Sequence, residues 1–258
     1  MAMNILGIDF EEWYHPELIK NHVKNDQKIP KVFKGIDTIL DLLNKHNVSA
    51  TFFVVGEILQ HSPELIDKII SNNHEIAFHT MHHDRIDSPN FSNNFDDELK
   101  EFQKLTNNKS KGFRAPTFSL NEKSSSIIKI LEKYNYIYDS SIMPAKTSMY
   151  GNPNADKKPY KITSENLENN SENGKLWEFP LMVTKLLGKQ IPAAGGFYLR
   201  TLPLYMIKNA IKNYEKEHMP ACFYVHSWEL TPELMPRIPL SKKNNFITYH
   251  NCLLYTSD

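Results

Sequence analysis

Residues 74–86 read HEIAFHTMHHDRI and combine a strand signal with a group of metal-ligand side chains. The apolar run at residues 76–78 is typical of a short buried strand, and it ends directly in His79. His82 and His83 follow within the next four positions. Neutral imidazole is the commonest protein ligand for zinc and similar ions, and two histidines at this spacing can reach one ion from a turn. We therefore predict metal ligands at His79 and His83, and we expect His82 to be a bystander or a support for them.

Comparable apolar runs recur along the chain and alternate with segments of helical periodicity. We predict strands near residues 4–10, 49–56, 75–78, 112–114, 136–138, 176–180, 182–186 and 221–225, and helices at 34–46, 63–70, 94–105, 123–134 and 203–217. This alternation is typical of a parallel sheet covered by helices. The fold class is therefore α/β, as an irregular (β/α) barrel of about seven parallel strands with helices outside. An open doubly wound sheet is the alternative, and after residue 230 we expect mostly loop.

The overall composition narrows the class of protein. The 258 residues suit one large domain, since a single α/β barrel commonly has about 250. The chain has 30 basic and 30 acidic residues, so no basic surplus supports a nucleic-acid partner. Cys222 and Cys252 form neither a disulfide framework nor a CxxC site. Because no signal peptide and no transmembrane span is visible, we expect a cytoplasmic location.

Five of the predicted strands end in charged or ligand-type side chains. These residues are Asp9, His79, Arg114, Asp139 and His226. In barrels and open α/β sheets, ligands bind at the carboxyl ends of the strands. A polar residue at one strand end is ordinary, but the convergence of two acids, two imidazoles and a guanidinium predicts a site there.

The first strand offers carboxylates to this site. Because side chains alternate along a strand, Asp9 and Glu11 point to one side and Glu12 to the other. Of two carboxylates on one side, one can bind a metal while the other acts as a general base. Two histidines and one carboxylate leave a coordination position open for water, as in catalytic zinc sites. We expect a divalent ion, with Zn2+ first and Co2+, Ni2+ or Fe2+ as alternatives.

Hydrolysis of an amide also needs an acid that protonates the departing nitrogen. His226 suits this role, because imidazole titrates near neutral pH. Asp139 could hold that imidazole, and Arg114 could pair with Asp9 and keep it ionised. Trp228 is compatible with a core position or with a platform for substrate.

Taken in order from residue 4 to residue 230, these residues resemble the polysaccharide deacetylases, the NodB-type carbohydrate esterases. The matching motifs are IDFEE at 8–12, HTMHH at 79–83, RAP at 114–116, YDSS at 138–141 and YVH at 224–226. The segments GGFYLRTLP at 195–203 and HSWEL at 226–230 further resemble a bacterial subgroup linked to exopolysaccharide or surface-glycan synthesis.

The resemblance implies an irregular (β/α) barrel and metal-dependent removal of an acetyl group from an N-acetylated glycan or lipid-linked sugar. It implies that Asp9 is the base and His226 the acid. Arg114 would be the partner of Asp9, and Asp139 the partner of His226. The metal ligands would be His79, His83 and a carboxylate.

Two positions depart from the family pattern. Its adjacent aspartates are replaced by Asp-Phe-Glu-Glu, so the third ligand is Glu11 or Glu12, and strand alternation favours Glu11. The Trp that often follows the fourth-motif Asp is Ser140 here.

Two other functions stay open on the sequence alone. One is metal-dependent hydrolysis of a small cyclic or linear amide, and the other is a glycan-binding module with a decayed site. We expect one catalytic domain over residues 1–258, with a long excursion at 143–175 and a truncated or foreign tail at 252–258. The sequence indicates no oligomeric state.

Overall fold

The computed structural model describes residues 3–89 and 91–252. Its strands are β1 (Ile5–Phe10), β2 (Thr51–Val54), β3 (Glu75–Phe78), β4 (Gly112–Phe113), β5 (Tyr138–Asp139), β6 (Tyr160–Ile162), β7 (Leu176–Glu178), β8 (Val183–Leu186), β9 (Lys189–Pro192) and β10 (Cys222–His226). Its α-helices are α1 (Glu17–Lys20), α2 (Val32–Lys45), α3 (Gly56–His61), α4 (Glu64–Ser71), α5 (Ser92–Leu105), α6 (Ile127–Lys133), α7 (Phe197–Thr201), α8 (Leu204–Lys216), α9 (Ser227–Leu230) and α10 (Lys242–Tyr249). Short 3₁₀ turns lie at Asn25–Gln27, Pro116–Phe118 and Pro232–Leu234.

The main sheet has the strand order β10-β1-β2-β3-β4-β5-β7-β6. The first seven strands in this order pair in parallel, and β6 joins the edge antiparallel to β7. The chain after β7 continues toward the opposite edge, where the N–H of Met182 donates to the carbonyl of Cys222 in β10. The sheet is thus curled into the predicted irregular (β/α) barrel, and the α/β class is confirmed.

Alternate residues of the central strands face two different surroundings. Ile8, Phe10, Phe52, Phe78 and Phe113 are fully buried in one apolar cluster with the helices. The intervening positions point into the barrel and include the polar residues predicted for the site. Because both faces of a parallel sheet are covered, the sequences of its strands are nearly continuous apolar runs.

Two sequence predictions near the C-terminus are wrong. The run at 182–186 does not join the main sheet, because β8 forms a separate antiparallel hairpin with β9. The region after residue 230 is not mostly loop, because it contains α10, which begins with Ser241 accepting a hydrogen bond from the N–H of Asn244. Within the excursion at 143–175 the structure has β6. The predicted tail at 252–258 lies outside the described residues except for Cys252.

Within the described ranges, no helix has both the length and the apolar composition that a membrane crossing requires.

Candidate active site

Strand register brings the predicted site residues to one end of the barrel. Asp9 in β1 lies directly beside His226 in β10 and beside Phe53 in β2. Further along the sheet, Phe113 pairs with Phe78 on one side and with Asp139 on the other. The residues that follow these strands therefore emerge at the same edge, where ligands bind in α/β sheets.

Glu11, His79 and His83 form a compact group of metal-ligand atoms. One ligand atom from each lies within 4.8 Å of the others, and all three residues are buried. Oε2 of Glu11 is 2.6 Å from Nε2 of His83. Burial raises the pKa of Glu11, but the charge and hydrogen bond of His83 outweigh it and lower this pKa below its usual range. The carboxylate is therefore ionised and available to a cation.

The loop after β3, not a helix, brings His79 and His83 together. Thr80 has φ +59° and His83 has φ +56°, both in the left-handed region that non-glycine residues rarely occupy. These two conformations turn the chain back after β3, so the imidazole centroids lie 5.0 Å apart. Backbone strain of this kind concentrates at functional loops.

The hydrogen bonds of the two imidazoles suit metal ligation. Nδ1 of His79 lies 2.7 Å from the carbonyl of Arg114, which can only accept, so Nδ1 carries the proton and Nε2 keeps its lone pair. Burial lowers the pKa of His79 to about 4, which keeps the ring neutral at pH 7. Nδ1 of His83 is buried without a hydrogen-bond partner among the described residues.

Glu12 lies away from this group. Its carboxylate accepts hydrogen bonds from the N–H groups of Lys31 and Val32 at the start of α2, at 2.9 to 3.2 Å. A carboxylate there interacts favourably with the helix dipole. The structure thus brings Glu11, and not Glu12, to the two histidines.

Arg114 makes the predicted contact with Asp9. Its Nη1 donates to Oδ1 of Asp9 at 2.7 Å, and both side chains are buried. Its Nε and Nη2 donate to the carbonyl and Oγ of Ser140 at 2.9 and 3.0 Å. Ser140, where the family often has Trp, thus helps to hold the guanidinium. Glycine is required at position 7, because a Cβ there would lie 2.6 Å from Nη1 of Arg114.

The predicted pairing of Asp139 with His226 is wrong. Nδ1 of His226 lies 2.7 Å from Oε2 of Glu229, the third residue after it. Asp139 instead accepts hydrogen bonds from the N–H and Oγ of Ser141 at 3.1 and 2.6 Å. Its neighbour on the paired strand is Glu178. Glu229 was not predicted, because only the turn into α9 brings its carboxylate back to the histidine.

Trp228 belongs to the site, which the sequence left undecided. Its ring stacks on His226 with centroids 4.7 Å apart and planes inclined by 15°. Its Nε1 donates to Oε1 of Glu11 at 2.9 Å. The residue therefore touches both a predicted ligand and the predicted acid.

His82 has a contact of its own outside the ligand group. Its Nδ1 lies 2.9 Å from Oε2 of Glu57, and Nε2 of His15 lies 2.8 Å from Oε1 of the same carboxylate. Burial raises the pKa of Glu57, but its hydrogen bonds to these two histidines outweigh it and lower the pKa to about 2. The His15 ring stacks on His83, with centroids 5.5 Å apart. His82 is thus linked to His83, a predicted ligand, through Glu57 and His15.

A cavity of about 150 Å³ opens beside these residues. Asp9, Glu11, His79, His83 and His226 border it on one side. The other walls are formed mainly by aromatic and apolar side chains, among them Phe118, Tyr150, Phe197, Tyr224 and Ile247. Such a cavity suits a small group held against a polar centre.

Two family models and several curated proteins match parts of this chain. Residues 19–138 match the family model for polysaccharide deacetylases, and residues 140–255 match a domain of unknown function, DUF3473. The chain is 49% identical over 45 residues to a chitooligosaccharide deacetylase of Bradyrhizobium sp. and 42% identical over 45 residues to a peptidoglycan-N-acetylglucosamine deacetylase of Bacillus cereus. Each match covers 17% of this chain, and 20% and 21% of the respective relative. The chain thus spans about a fifth of the length of these curated relatives.

A solved structure extends the likeness of fold over most of the chain. The crystal structure of a candidate polysaccharide deacetylase from Mycobacterium smegmatis aligns with a TM-score of 0.55 and 17% sequence identity. The alignment covers 91% of this chain and 84% of that one, which shows a shared barrel fold. By the family models, residues 19–138 of this chain carry a polysaccharide deacetylase domain and residues 140–255 carry the DUF3473 domain.

Proposed function

We propose that this chain is a metal-dependent hydrolase that removes the acetyl group from an N-acetylated sugar of a surface or exported glycan. The observation that carries the proposal is the shared cavity. Glu11, His79 and His83 border the same small space as Asp9 and His226. The sugar-directed deacetylases among the curated relatives support the class of substrate.

Glu11, His79 and His83 would hold the divalent cation, with Zn2+ as the first candidate. An ionised carboxylate, a neutral imidazole and a second imidazole with an unpartnered buried nitrogen fit such an ion. When bound, the cation would acidify a water molecule and polarise the acetyl carbonyl.

Asp9 is placed to act as the general base. Its Oδ1 is fixed by Arg114 at 2.7 Å, and the residue borders the cavity. The proton of the attacking water passes to the carboxylate of Asp9 as oxygen bonds to the acetyl carbon. Arg114 holds the carboxylate in position for this proton transfer.

His226 is placed to act as the general acid. Glu229 binds its Nδ1, which leaves Nε2 on the cavity side, 4.0 Å from Oε1 of Glu11. Nε2 donates its proton to the sugar nitrogen as the carbon–nitrogen bond breaks. The products are acetate and the free amino sugar.

Two variants test the proposal together with a matched control. His79→Ala is expected to lose both the metal and acetate release, because a ligand is removed. Asp9→Asn is expected to keep the metal and to lose at least about a hundredfold in turnover, because the base is removed. His46→Ala, at an exposed histidine at the end of α2, is expected to change neither.

The measurements are elemental analysis of the purified proteins and acetate release from chitooligosaccharides, an acetylated lipid-linked sugar and a cyclic amide. Full metal content and full activity in His79→Ala would contradict the site assignment. Turnover of the cyclic amide without any acetate from the sugars would favour the small-amide hydrolase instead.

A further inference from the structure

The two segments that resemble the exopolysaccharide-linked subgroup meet inside the protein. Arg200 comes from the segment at 195–203, and Glu229 comes from the segment at 226–230. Nε of Arg200 donates to Oε1 of Glu229 at 2.7 Å. The two side chains are 1% and 0% exposed. Desolvation of such a buried ion pair is costly, so its remaining polar atoms need partners.

The second oxygen of Glu229 is used entirely by His226. Oε2 lies 2.7 Å from Nδ1 of His226 and accepts from the backbone N–H of the same residue at 2.9 Å. A carboxylate that accepts from Nδ1 fixes the orientation of an imidazole and stabilises the imidazolium, whose Nε2 carries a proton that can be donated. Glu229 thus takes the place beside His226 that the sequence assigned to Asp139.

The remaining nitrogens of Arg200 reach the last helix of the described chain. Nη2 donates to the carbonyl of Ile247 at 2.9 Å, and Nη1 donates to the carbonyl of His250. Nδ2 of Asn251 donates back to the carbonyl of Arg200 at 3.1 Å. A cation is favourable at this end of α10, where helix carbonyls lack partners in the helix.

The same helix forms part of the cavity. Ile247 and Thr248 of α10 line it together with Phe197 of α7 and Arg200. A continuous set of charged contacts therefore runs from the cavity wall through Arg200 and Glu229 to His226.

We propose that Glu229 and Arg200 are positioning residues for His226 and that, through Arg200, the C-terminal helix α10 becomes part of the active site. The proposal rests on the proposed function, in which His226 protonates the departing nitrogen. Glu229 orients the imidazole of His226. Arg200 holds Glu229 in place and also anchors α10, which lines the cavity.

The test compares two substrates that differ in their need for an acid. An N-acetylated sugar requires protonation of its nitrogen, whereas an aryl acetate releases a phenolate that leaves without one. Glu229→Gln is expected to lower kcat on the sugar by about a hundredfold, with little change in KM and less than a threefold loss on the aryl acetate. His226→Ala should show the same selective loss. Glu233→Gln, the same substitution at an exposed site in the following turn, should be unaffected on both substrates.

Arg200→Lys probes the second half of the proposal. Lysine keeps the charge beside Glu229 but cannot reach both carbonyls of α10. The expected result is a smaller selective loss on the sugar, together with faster hydrogen exchange of the α10 amides and unchanged exchange in α8.

Three outcomes would overturn the proposal. These are equal losses on both substrates in Glu229→Gln, no loss on either, or unchanged α10 exchange in Arg200→Lys. If the wild-type protein hydrolysed neither substrate, the proposed function would fail by itself. Nitrogen NMR of the His226 ring would then decide the positioning role, because Glu229→Gln is expected to shift the Nδ1 resonance by weakening its hydrogen bond and Glu233→Gln is not. An unchanged Nδ1 resonance would refute it.

Discussion

At the scale of the residue, Glu11 and Glu12 are adjacent at the end of β1 but make entirely different contacts. Glu11 lies with His79 and His83, whereas Glu12 caps α2. Strand alternation separates them, as the sequence indicated. The two carboxylates therefore affect different properties of the protein.

Glutamine substitutions distinguish the two roles. Glu11→Gln is expected to lose the bound metal, because a neutral amide is a weaker ligand than a carboxylate. Glu12→Gln is expected to keep it and to lower the free energy of unfolding by about 1 kcal/mol, since one of the two oxygens that accept from the first N–H groups of α2 is lost. Elemental analysis and urea denaturation measure the two effects. Loss of metal in Glu12→Gln would contradict the assignment of Glu11.

Trp228 can be used to test whether a hydrogen bond to Glu11 strengthens binding of the proposed metal. Trp228→Phe removes the donor to Oε1 of Glu11 but keeps an aromatic ring against His226. Loss of a hydrogen bond to a ligand typically costs about tenfold or more in metal affinity. Competition with a chromophoric chelator measures this affinity. Trp13→Phe, whose indole donates to the carbonyl of Ile29 instead, is the matched control, and equal affinities in both variants would refute the expectation.

The sequence predicted which residues gather at the site better than it predicted their partners. Asp9, Arg114 and His226 follow apolar strands, so the sheet alone brings them to one edge. The partner of His226 depends instead on the turn into α9 and on the side-chain rotamer of Glu229. Neither leaves a periodic signal in the sequence. Asp139 was the wrong choice for this reason.

At the scale of the element, β5 and β7 bury two acids side by side. Asp139 and Glu178 are partners in the register, and both are completely buried. Burial raises the pKa of Asp139, but two hydrogen bonds from Ser141 and the charge of Arg114 favour its ionised form over that of Glu178. Burial and then the charge of Asp139 raise the pKa of Glu178 well above its usual range. Glu178 therefore keeps its proton in the folded protein at neutral pH.

This proton makes stability depend on pH. The unfolded chain releases it above the ordinary pKa of about 4.5, whereas the folded protein retains it, so wild-type stability falls as pH rises. Glu178→Gln cannot ionise and is expected to gain about 1.4 kcal/mol per pH unit relative to wild type. Urea denaturation from pH 5.5 to 7.5 measures the difference. A pH-independent difference, like that expected for the exposed Glu172→Gln, would show that Glu178 is ionised in the fold.

One of the elements that the sequence did not predict is α10. Its residues, KKNNFITY, have no clear apolar stripe and include Asn and β-branched residues with modest helix propensity. The helix is held instead by its Ser241 cap and by the bonds from Arg200 to its C-terminal end. Tertiary contacts of this kind override weak local preference.

At the scale of the whole molecule, the sequence predicted the barrel because its strands are buried on both faces. Seven parallel strands are present, as expected. The run at 182–186, which forms β8, was assigned to the main sheet because the sequence of a four-residue strand does not show which strand it will pair with. Which strands pair depends on the path of the chain between them. Local sequence patterns do not encode this path.

A bound cation is expected to stabilise the whole barrel. Its proposed ligands come from the chain after β1 and the chain after β3, so the ion would tie these two connections together. At a metal concentration a hundred times its dissociation constant, the gain in unfolding free energy is about 2.7 kcal/mol. A chelator should therefore lower the melting temperature of wild type but not of His79→Ala. Identical melting curves for wild type with and without chelator would exclude this linkage.

Arg114 serves the site through two chemically separate parts. Its side chain holds Asp9, whereas its carbonyl holds Nδ1 of His79. Replacement of the side chain leaves the carbonyl in place, so conventional mutagenesis at this position reports on the base and not on the metal ligand. An amide-to-ester change in the bond to Ala115 would weaken the carbonyl that accepts from His79, and would also remove the N–H that Ala115 donates to Oγ of Ser141 at 2.8 Å. Ser141→Ala, which loses that second hydrogen bond and the one to Asp139 but keeps the carbonyl of Arg114, would then separate the two effects.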